Sequence, residues 1–172
     1  MNECPPRSSA KSRITIREYK AADLESLLGI MNEIILCGDA FVYDVPFTLK
    51  QMAEYLDSYP TAFVATLDGR TVGGYLLRAN QPGRGSHVAN ATYLVASHAR
   101  GRGIGNTLGE HSLAEARRQG FKAIQFNAVA STNTSAITLW KQLGFKIIGT
   151  VPQAFRDADG RPVDLHIMHR LL

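Results

Sequence analysis

Apolar positions along this chain recur with two different periods, and the switches between them lay out its elements. Ile14–Tyr19 alternates apolar and polar residues, the pattern of a half-buried strand. Leu24, Leu27, Leu28, Met31 and Ile35 then recur at three- and four-residue steps, which predicts an amphipathic helix stopped by Gly38. Thr48-x-x-Gln51 is a capping box with Phe47 and Met52 at the staple positions, so a second helix starts there and ends before Tyr59-Pro60. Thr61–Leu67 and Thr71–Arg78 flank Asp68-Gly69, a two-residue hairpin signal. After a loop over Asn80–Ser86, His87–Val95 reads as the next strand. A glycine-rich turn, a helix over Gly103–Gln119 closed by Gly120, and a strand over Lys122–Val129 follow. The helix Asn133–Leu143 carries Ala136, Ile137, Trp140 and Leu143 on its apolar face, and Gly144 ends it. Lys146–Val151 and Val163–Arg170 are the last strands, joined by a polar loop through Asp157–Gly160. The order β-α-α-β-β-β-α-β-α-β-β describes an α/β fold, a mixed sheet with flanking helices. Residues 1–12 read as a disordered tail, and residues 13–172 as one domain.

The turn between the central strand and the long helix is the first candidate for chemistry. Arg100-Gly-Arg-Gly-Ile-Gly105 stands between the strand Ala91–Val95 and a helix N-terminus, where several backbone N–H groups point at one spot. The helix dipole adds positive potential, glycines let an anion approach the backbone, and Arg100 and Arg102 add charged donors. A phosphate or pyrophosphate suits such a place. A dinucleotide fingerprint starting at Gly101 needs glycine where Asn106 stands, and a P-loop needs Gly-Lys-Ser/Thr, which is absent.

The spacing Arg-x-x-Gly-x-Gly resembles the coenzyme A pyrophosphate loop of the GNAT superfamily of N-acetyltransferases. A second stretch, Asn133-Thr-Ser-Ala-Ile-Thr-Leu-Trp140-Lys-Gln-Leu-Gly144-Phe145, is similar to that family's Asn-x-x-Ala-x-x-Leu-Tyr-x-x-x-Gly-Phe. The two stand one helix and one strand apart, as in the family, and the likeness runs from about Ile14 to Leu171. The resemblance implies a partly antiparallel sheet whose central strands splay apart, and acetyl-CoA as co-substrate. It places the pyrophosphate on Arg100, Gly101, Arg102, Gly103, Ile104 and Gly105. The pantetheine would lie along Leu94, Val95 and Ala96, and Asn133 would also contact the cofactor.

Composition narrows the partners. With 45% apolar and 20% charged residues the chain is ordinary for a soluble globular protein. The net charge of +4 suits an anionic ligand, but no basic block with interleaved aromatics argues for nucleic acid. Cys4 and Cys37 are too few for a disulfide framework, and with no signal peptide or membrane-length apolar run the expected location is the cytoplasm. A homodimer is compatible with all of this.

The histidines suggest no metal. His166 and His169 fall on opposite faces of a strand, His98 lies in a turn and His111 mid-helix. His87 opens a strand that would line the site and is a minor candidate for a base. Asn90 and Asn127 are the main candidates for catalysis, because asparagine is disfavoured within strands and a buried carboxamide needs partners. Either they satisfy loose backbone at the splay, or they face the acceptor. The segment Asp39–Pro46 is aromatic, and either plugs the core or walls a binding site.

Two features of the family are missing. Trp140 stands where a tyrosine commonly protonates the leaving thiolate, and an indole is a donor only. The strand before the glycine loop also offers no Asp or Glu as a base. Phe41–Thr48, His87–Val95 and Gln125–Asn133 together resemble the fungal N-acetyltransferases that act on proline analogues. In that subgroup two strand asparagines hold the cyclic amino acid, and Asn90 and Asn127 match them in setting. The expected activity is direct acetyl transfer to a small amine or imino acid. A protein or peptide N-acetyltransferase, and a non-catalytic acyl-CoA sensor, are the alternatives.

Overall fold

The computed structural model describes residues 13–172, so the tail expected over residues 1–12 lies outside the described residues. One seven-stranded sheet runs β1 (Ile14–Glu18), β2 (Thr61–Leu67), β3 (Arg70–Ala79), β4 (Val88–Val95), β5 (Ala123–Ala130), β7 (Pro162–Leu171) and β6 (Lys146–Arg156), in that spatial order. Helices α1 (Leu24–Cys37), α2 (Leu49–Asp57), α3 (Ile104–Arg118) and α4 (Thr134–Gln142) fall where the periodicity predicts them. Asp68 and Gly69 both take positive φ, 50° and 78°, as a two-residue turn matched to strand twist requires.

Side chains alternate across the sheet, which fixes what each face meets. Tyr75 and Tyr93 point towards α3, the first with its hydroxyl 2.9 Å from His111 Nδ1 and the second 2.6 Å from Ser112 Oγ. Thr92 points the other way, 3.2 Å from the Tyr59 hydroxyl just beyond α2. The core between layers is built from fully buried Leu27, Met31, Met52, Leu76, Leu94 and Leu108. Deeply buried apolar side chains of this size each stabilise the fold by about 1.5–3 kcal/mol.

The sheet opens at its centre. Every neighbouring pair is antiparallel except β4 and β5, which are parallel and pair only at Val88–Ala123 and Ala89–Ile124. Past that point β4 stays zipped to β3 as far as Val95–Gly73, while its other edge faces a gap. On the far side of the gap, β5 slips register against β7 between Phe126 and Val129. Asn127 and Ala128 are thereby outside the ladder.

One boundary differs from the pattern reading. β6 does not end at Val151 but resumes beyond it and pairs Phe155 with Val163 and Arg156 with Pro162. Pro152 has no N–H to give the ladder, so the chain breaks there. Gln153 takes φ 52°, and its N–H bonds instead to the Asp164 carboxylate at 2.9 Å. A hydrophobicity pattern sees the interruption as the strand's end.

Asp23, only 4% exposed, ties three segments together at the start of α1. It accepts two hydrogen bonds from Arg17, one from Thr71 Oγ1 and one from the Lys20 N–H. The Arg17 guanidinium holds its carboxyl down at about 2, against the opposing effect of burial. A carboxyl whose folded value is depressed stabilises the fold above its ordinary range and loses that contribution as pH falls towards 2. Asp23→Asn is therefore expected to cost about 2 kcal/mol at neutral pH, with the gap from wild type shrinking between about pH 5 and pH 2. Urea unfolding of both proteins across that range is the check.

Candidate active site

The opening between β4 and β5 holds two adjacent cavities. The larger, about 410 Å³, is bounded by Val95, the turn at Arg100–Gly103, the start of α3 and the inner face of α4. The smaller, about 280 Å³, is bounded by β4 and β5 at Asn90 and Asn127 and by the segment after α1 at Phe41 and Tyr43. Ala40, Tyr93, Asn133, Ala136 and Trp140 line both, so the cavities share a wall.

One end of the larger cavity brings together glycine backbone, an uncapped helix start and an arginine. Gly101 and Gly103 take φ 74° and 80°, left-handed backbone that glycine adopts without strain. Gly103 is the N-cap of α3 and contributes no side-chain cap, so the first-turn N–H groups of the helix keep their donor capacity. Arg100 lines the same end. Arg102 is exposed and does not line the cavity, so the turn brings one of its two arginines to the cleft.

Gly105 has a different reason to be glycine from the one its place in the turn suggests. Its missing Cβ would lie 3.1 Å from Leu139 Cδ2, and that of Gly109, one helical turn on, 2.3 Å from Leu143 Cδ1. The pair lets α4 approach α3, which sets the width of the cleft. Gly109 was invisible to the motif reading, although its spacing of one turn from Gly105 is a readable small-residue stripe.

At the other end of the shared wall the polar groups are few and oriented. Asn90 Nδ2 donates to the Gln125 carbonyl at 2.9 Å, across the gap where ladder bonds have stopped. Asn127 Nδ2 donates to Asn80 Oδ1 at 2.7 Å, and its Oδ1 accepts from Gln125 Nε2 at 2.9 Å. Loose backbone and side-chain partners therefore hold both asparagines, and both still line the smaller cavity with hydrogen-bonding capacity to spare. Asn133 caps α4, accepting from the Ala136 N–H at 3.1 Å, while its residue faces both cavities. Of the stretch Leu94–Ala96, the cavity touches Val95, whereas the side chains of Leu94 and Ala96 are buried.

Phe41, Val42 and Tyr43 wall the smaller cavity, and Phe41 packs against the core as well. Val42 is 62% exposed, Tyr43 packs edge-on against Phe47 and Tyr55, and all three line the smaller cavity. The Asn32 carboxamide holds the end of the segment by exchanging hydrogen bonds with both backbone groups of Phe47, at 2.7 and 2.9 Å.

Residues 29–145 of this architecture match the Acetyltransferase (GNAT) family. The chain belongs to that family. It is 30% identical over 150 residues to the N-acetyltransferase aca1 of Schizosaccharomyces pombe, covering 77% of this chain and 72% of that one. The solved GCN5-related N-acetyltransferase of Kribbella flavida is 41% identical and superposes with a TM-score of 0.88, covering 92% of this chain and 98% of that one. A phosphinothricin acetyltransferase of Sinorhizobium meliloti, solved with acetyl-CoA, is 25% identical with a TM-score of 0.87 and coverage of 92% and 88%. Acetyl-CoA is the co-substrate of this GNAT enzyme.

Two aromatic residues at the shared wall look like proton donors for a GNAT reaction, and neither is placed as one. Trp140 is 7% exposed and packs among Tyr93, Phe126 and Phe145, with ring centroids 4.5, 4.8 and 6.0 Å away. The hydroxyl of Tyr93 is bonded to Ser112, whose own proton goes to the Gly109 carbonyl at 2.7 Å. The Tyr93 proton therefore points into α3, and burial pushes its loss to higher pH still. Trp140→Phe is expected to keep turnover within a few fold and to cost about 1 kcal/mol of stability, since another aromatic fills most of the volume. Steady-state rates beside a melting curve check this, and a loss of two orders of magnitude at unchanged stability would refute it.

The histidines stay out of the site. His87 is exposed and bonded to the Arg84 carbonyl at 3.1 Å, and it lines neither cavity. His111 is packed against Phe63 and Tyr75, where desolvation makes it harder to protonate. Among the described residues no group of His, Cys, Asp and Glu side chains forms a metal site, and no helix is long and apolar enough to cross a membrane. Sequence reasoning also passed over Arg78. It stands directly opposite Asn90 across β3 and β4, its guanidinium 4.4 Å above the Tyr59 ring.

Proposed function

We propose that this GNAT enzyme acetylates the amine of a small amino or imino acid, with the proline-analogue type as the preferred acceptor. The observation that carries the reading is the pair of cavities with one wall in common, a cleft at the glycine turn beside a smaller, aromatic-walled pocket lined by the carboxamides of Asn90 and Asn127. At about 280 Å³ the pocket lies just below the ~300–1,000 Å³ range of small-molecule sites, so the acceptor is small. The N–H groups of Gly101–Gly105 and Arg100 receive the pyrophosphate, and Asn133 lies alongside. The pantetheine runs along Leu94–Ala96, where the β4 edge has backbone groups without strand partners. Its thioester then reaches the shared wall.

Asn90 and Asn127 orient the acceptor, donating to its carboxylate and accepting from its amine. The amine nitrogen attacks the acetyl carbonyl, the C–N bond forms, and the C–S bond breaks to release the CoA thiolate. A thiol with a pKa near ~8.5, taking the cysteine value as a guide, leaves well enough without an acid at Trp140. The solved phosphinothricin acetyltransferase of the same fold is named for an amino-acid-like acceptor, which supports this class. The reading also places the enzyme in the cytoplasm.

Release of free CoA from acetyl-CoA across an amine panel tests the proposal. Azetidine-2-carboxylate and related imino acids are expected to lead, ahead of an alanine-starting peptide. Peptide acetylation in preference to every small acceptor would favour a protein N-acetyltransferase. Acetyl-CoA binding without turnover on any amine would mean a sensor.

A further inference from the structure

Asp39 is the one carboxylate among the residues that line either cavity, and neither lining contains a histidine. It follows Gly38, the left-handed residue that ends α1, and precedes Ala40 in the shared wall. Its Oδ1 is buried and has no hydrogen-bond partner, alone in this among the described side-chain atoms. A buried carboxylate oxygen without a donor is costly, and such an atom beside a ligand cleft is matched by a cationic or N–H group of the ligand. The residue is held there from two sides. A Cβ on Gly38 would lie 2.8 Å from Ala158, so the β6–β7 turn backs the segment, and the Asn32 clamp on Phe47 fixes its far end.

Resting on the acetyltransferase reading above, we propose that Asp39 is the proton acceptor of the transfer. The acceptor amine arrives as a cation, and Asp39 takes one N–H proton to free the lone pair, then releases it to solvent. The nitrogen attacks the acetyl carbonyl, the second N–H proton leaves the adduct by the same carboxylate, and the C–S pair departs on sulfur. The base that β4 does not supply comes from the segment after α1. Asp39 lines the larger cavity next to Ala40 of the shared wall, and Asn90 and Asn127 line the smaller one, so a zwitterionic amino or imino acid lying across that wall finds a partner for each charge.

The other ionisable groups lining the cavities are Tyr43, Tyr55, Tyr93 and Arg100. Glu33 accepts from the Ser97 N–H near the Arg100 end, and Arg156 and Asp157 border the groove behind Gly38. None of these is a carboxylate or imidazole facing the shared wall.

The test is Asp39→Asn in the full chain, assayed from pH 6 to 9.5 with acetyl-CoA and the amine the wild type uses fastest. Asparagine keeps an acceptor oxygen, so a residue that merely bonds a pantetheine amide is spared by the change. The expected result at pH 7 is a fall in kcat of at least about thirtyfold, with acetyl-CoA affinity by calorimetry within about twofold. The variant's kcat/KM keeps climbing with pH as the free amine grows, whereas the wild type levels off. Asp39→Glu, which keeps a carboxylate, restores the plateau. Activity within about threefold of wild type with a parallel pH profile overturns the proposal, and so does a loss of acetyl-CoA affinity in step with kcat. A wild type that turns over no amine ends the acetyltransferase reading of the site itself, and this proposal with it.

Discussion

Gly103→Val is expected to weaken acetyl-CoA binding at least about a hundredfold, roughly 2.7 kcal/mol, while the protein stays folded. Gly103 holds φ 80° at the N-cap of α3, and a Cβ there would meet nothing within 4 Å. Gly103 lines the larger cavity, so under the proposed placement a branched side chain there competes with the pyrophosphate for the backbone. Left-handed backbone costs a non-glycine residue about 1–2 kcal/mol, which strains the turn without unfolding the domain. The Asp68-Gly69 hairpin supplies a control, because Gly69 has φ 78° and is equally uncrowded. Gly69→Val shares the strain and leaves the cofactor untouched. Calorimetry on the two variants separates them, and equal acetyl-CoA affinity in both would refute the placement of the pyrophosphate.

The elements were legible because periodicity and turn chemistry agree at each boundary. The capping box at Thr48 forms as written, with the Gln51 N–H bonded to Thr48 Oγ1 and the Gln51 side chain returned to the Thr48 N–H. Gly38, Gly120 and Gly144 take left-handed φ at the ends of α1, α3 and α4. What failed was the extent of β6, since Pro152 breaks the ladder locally and only tertiary pairing with β7 restores it.

The site was legible in part, and the parts divide by sequence distance. The glycine turn and the Asn133 cap are local devices, so their residue types announce them. Asn90 and Asn127 were visible as polar residues in strands that should exclude them. Asp39 carried no such signal, because an aspartate after a helix-ending glycine is ordinary in a surface loop. Its meaning comes from burial of one oxygen beside a cleft whose other walls lie far along the chain. The same holds for Arg78, which becomes notable only through its register opposite Asn90. Long-range juxtaposition of this kind leaves no trace in periodicity.

Asn90→Ala and Asn127→Ala are each expected to cut kcat/KM by about tenfold to a hundredfold, roughly 1.4–2.7 kcal/mol, with acetyl-CoA affinity nearly unchanged. Alanine removes the donor and acceptor proposed to orient the acceptor molecule, and fixed orientation supplies several kcal/mol of a transfer barrier. In the proposed arrangement the cofactor lies on the other side of the shared wall. The two changes should differ in their structural cost. Asn90 spans the splay to the Gln125 carbonyl, so its loss leaves a backbone acceptor without its partner and lowers stability by about 1 kcal/mol. Asn127 is exposed and bonded only to the side chains of Asn80 and Gln125, so its loss should scarcely move the melting point. Gln125→Ala, which removes one of the two partners of Asn127 and leaves the bond to Asn80, should raise KM a few fold and leave kcat near wild type. If both asparagine variants keep full activity on azetidine-2-carboxylate, the carboxamides are only a brace for the splayed strands. The acceptor is then held by something else, and Arg78 opposite Asn90 is the first residue to replace.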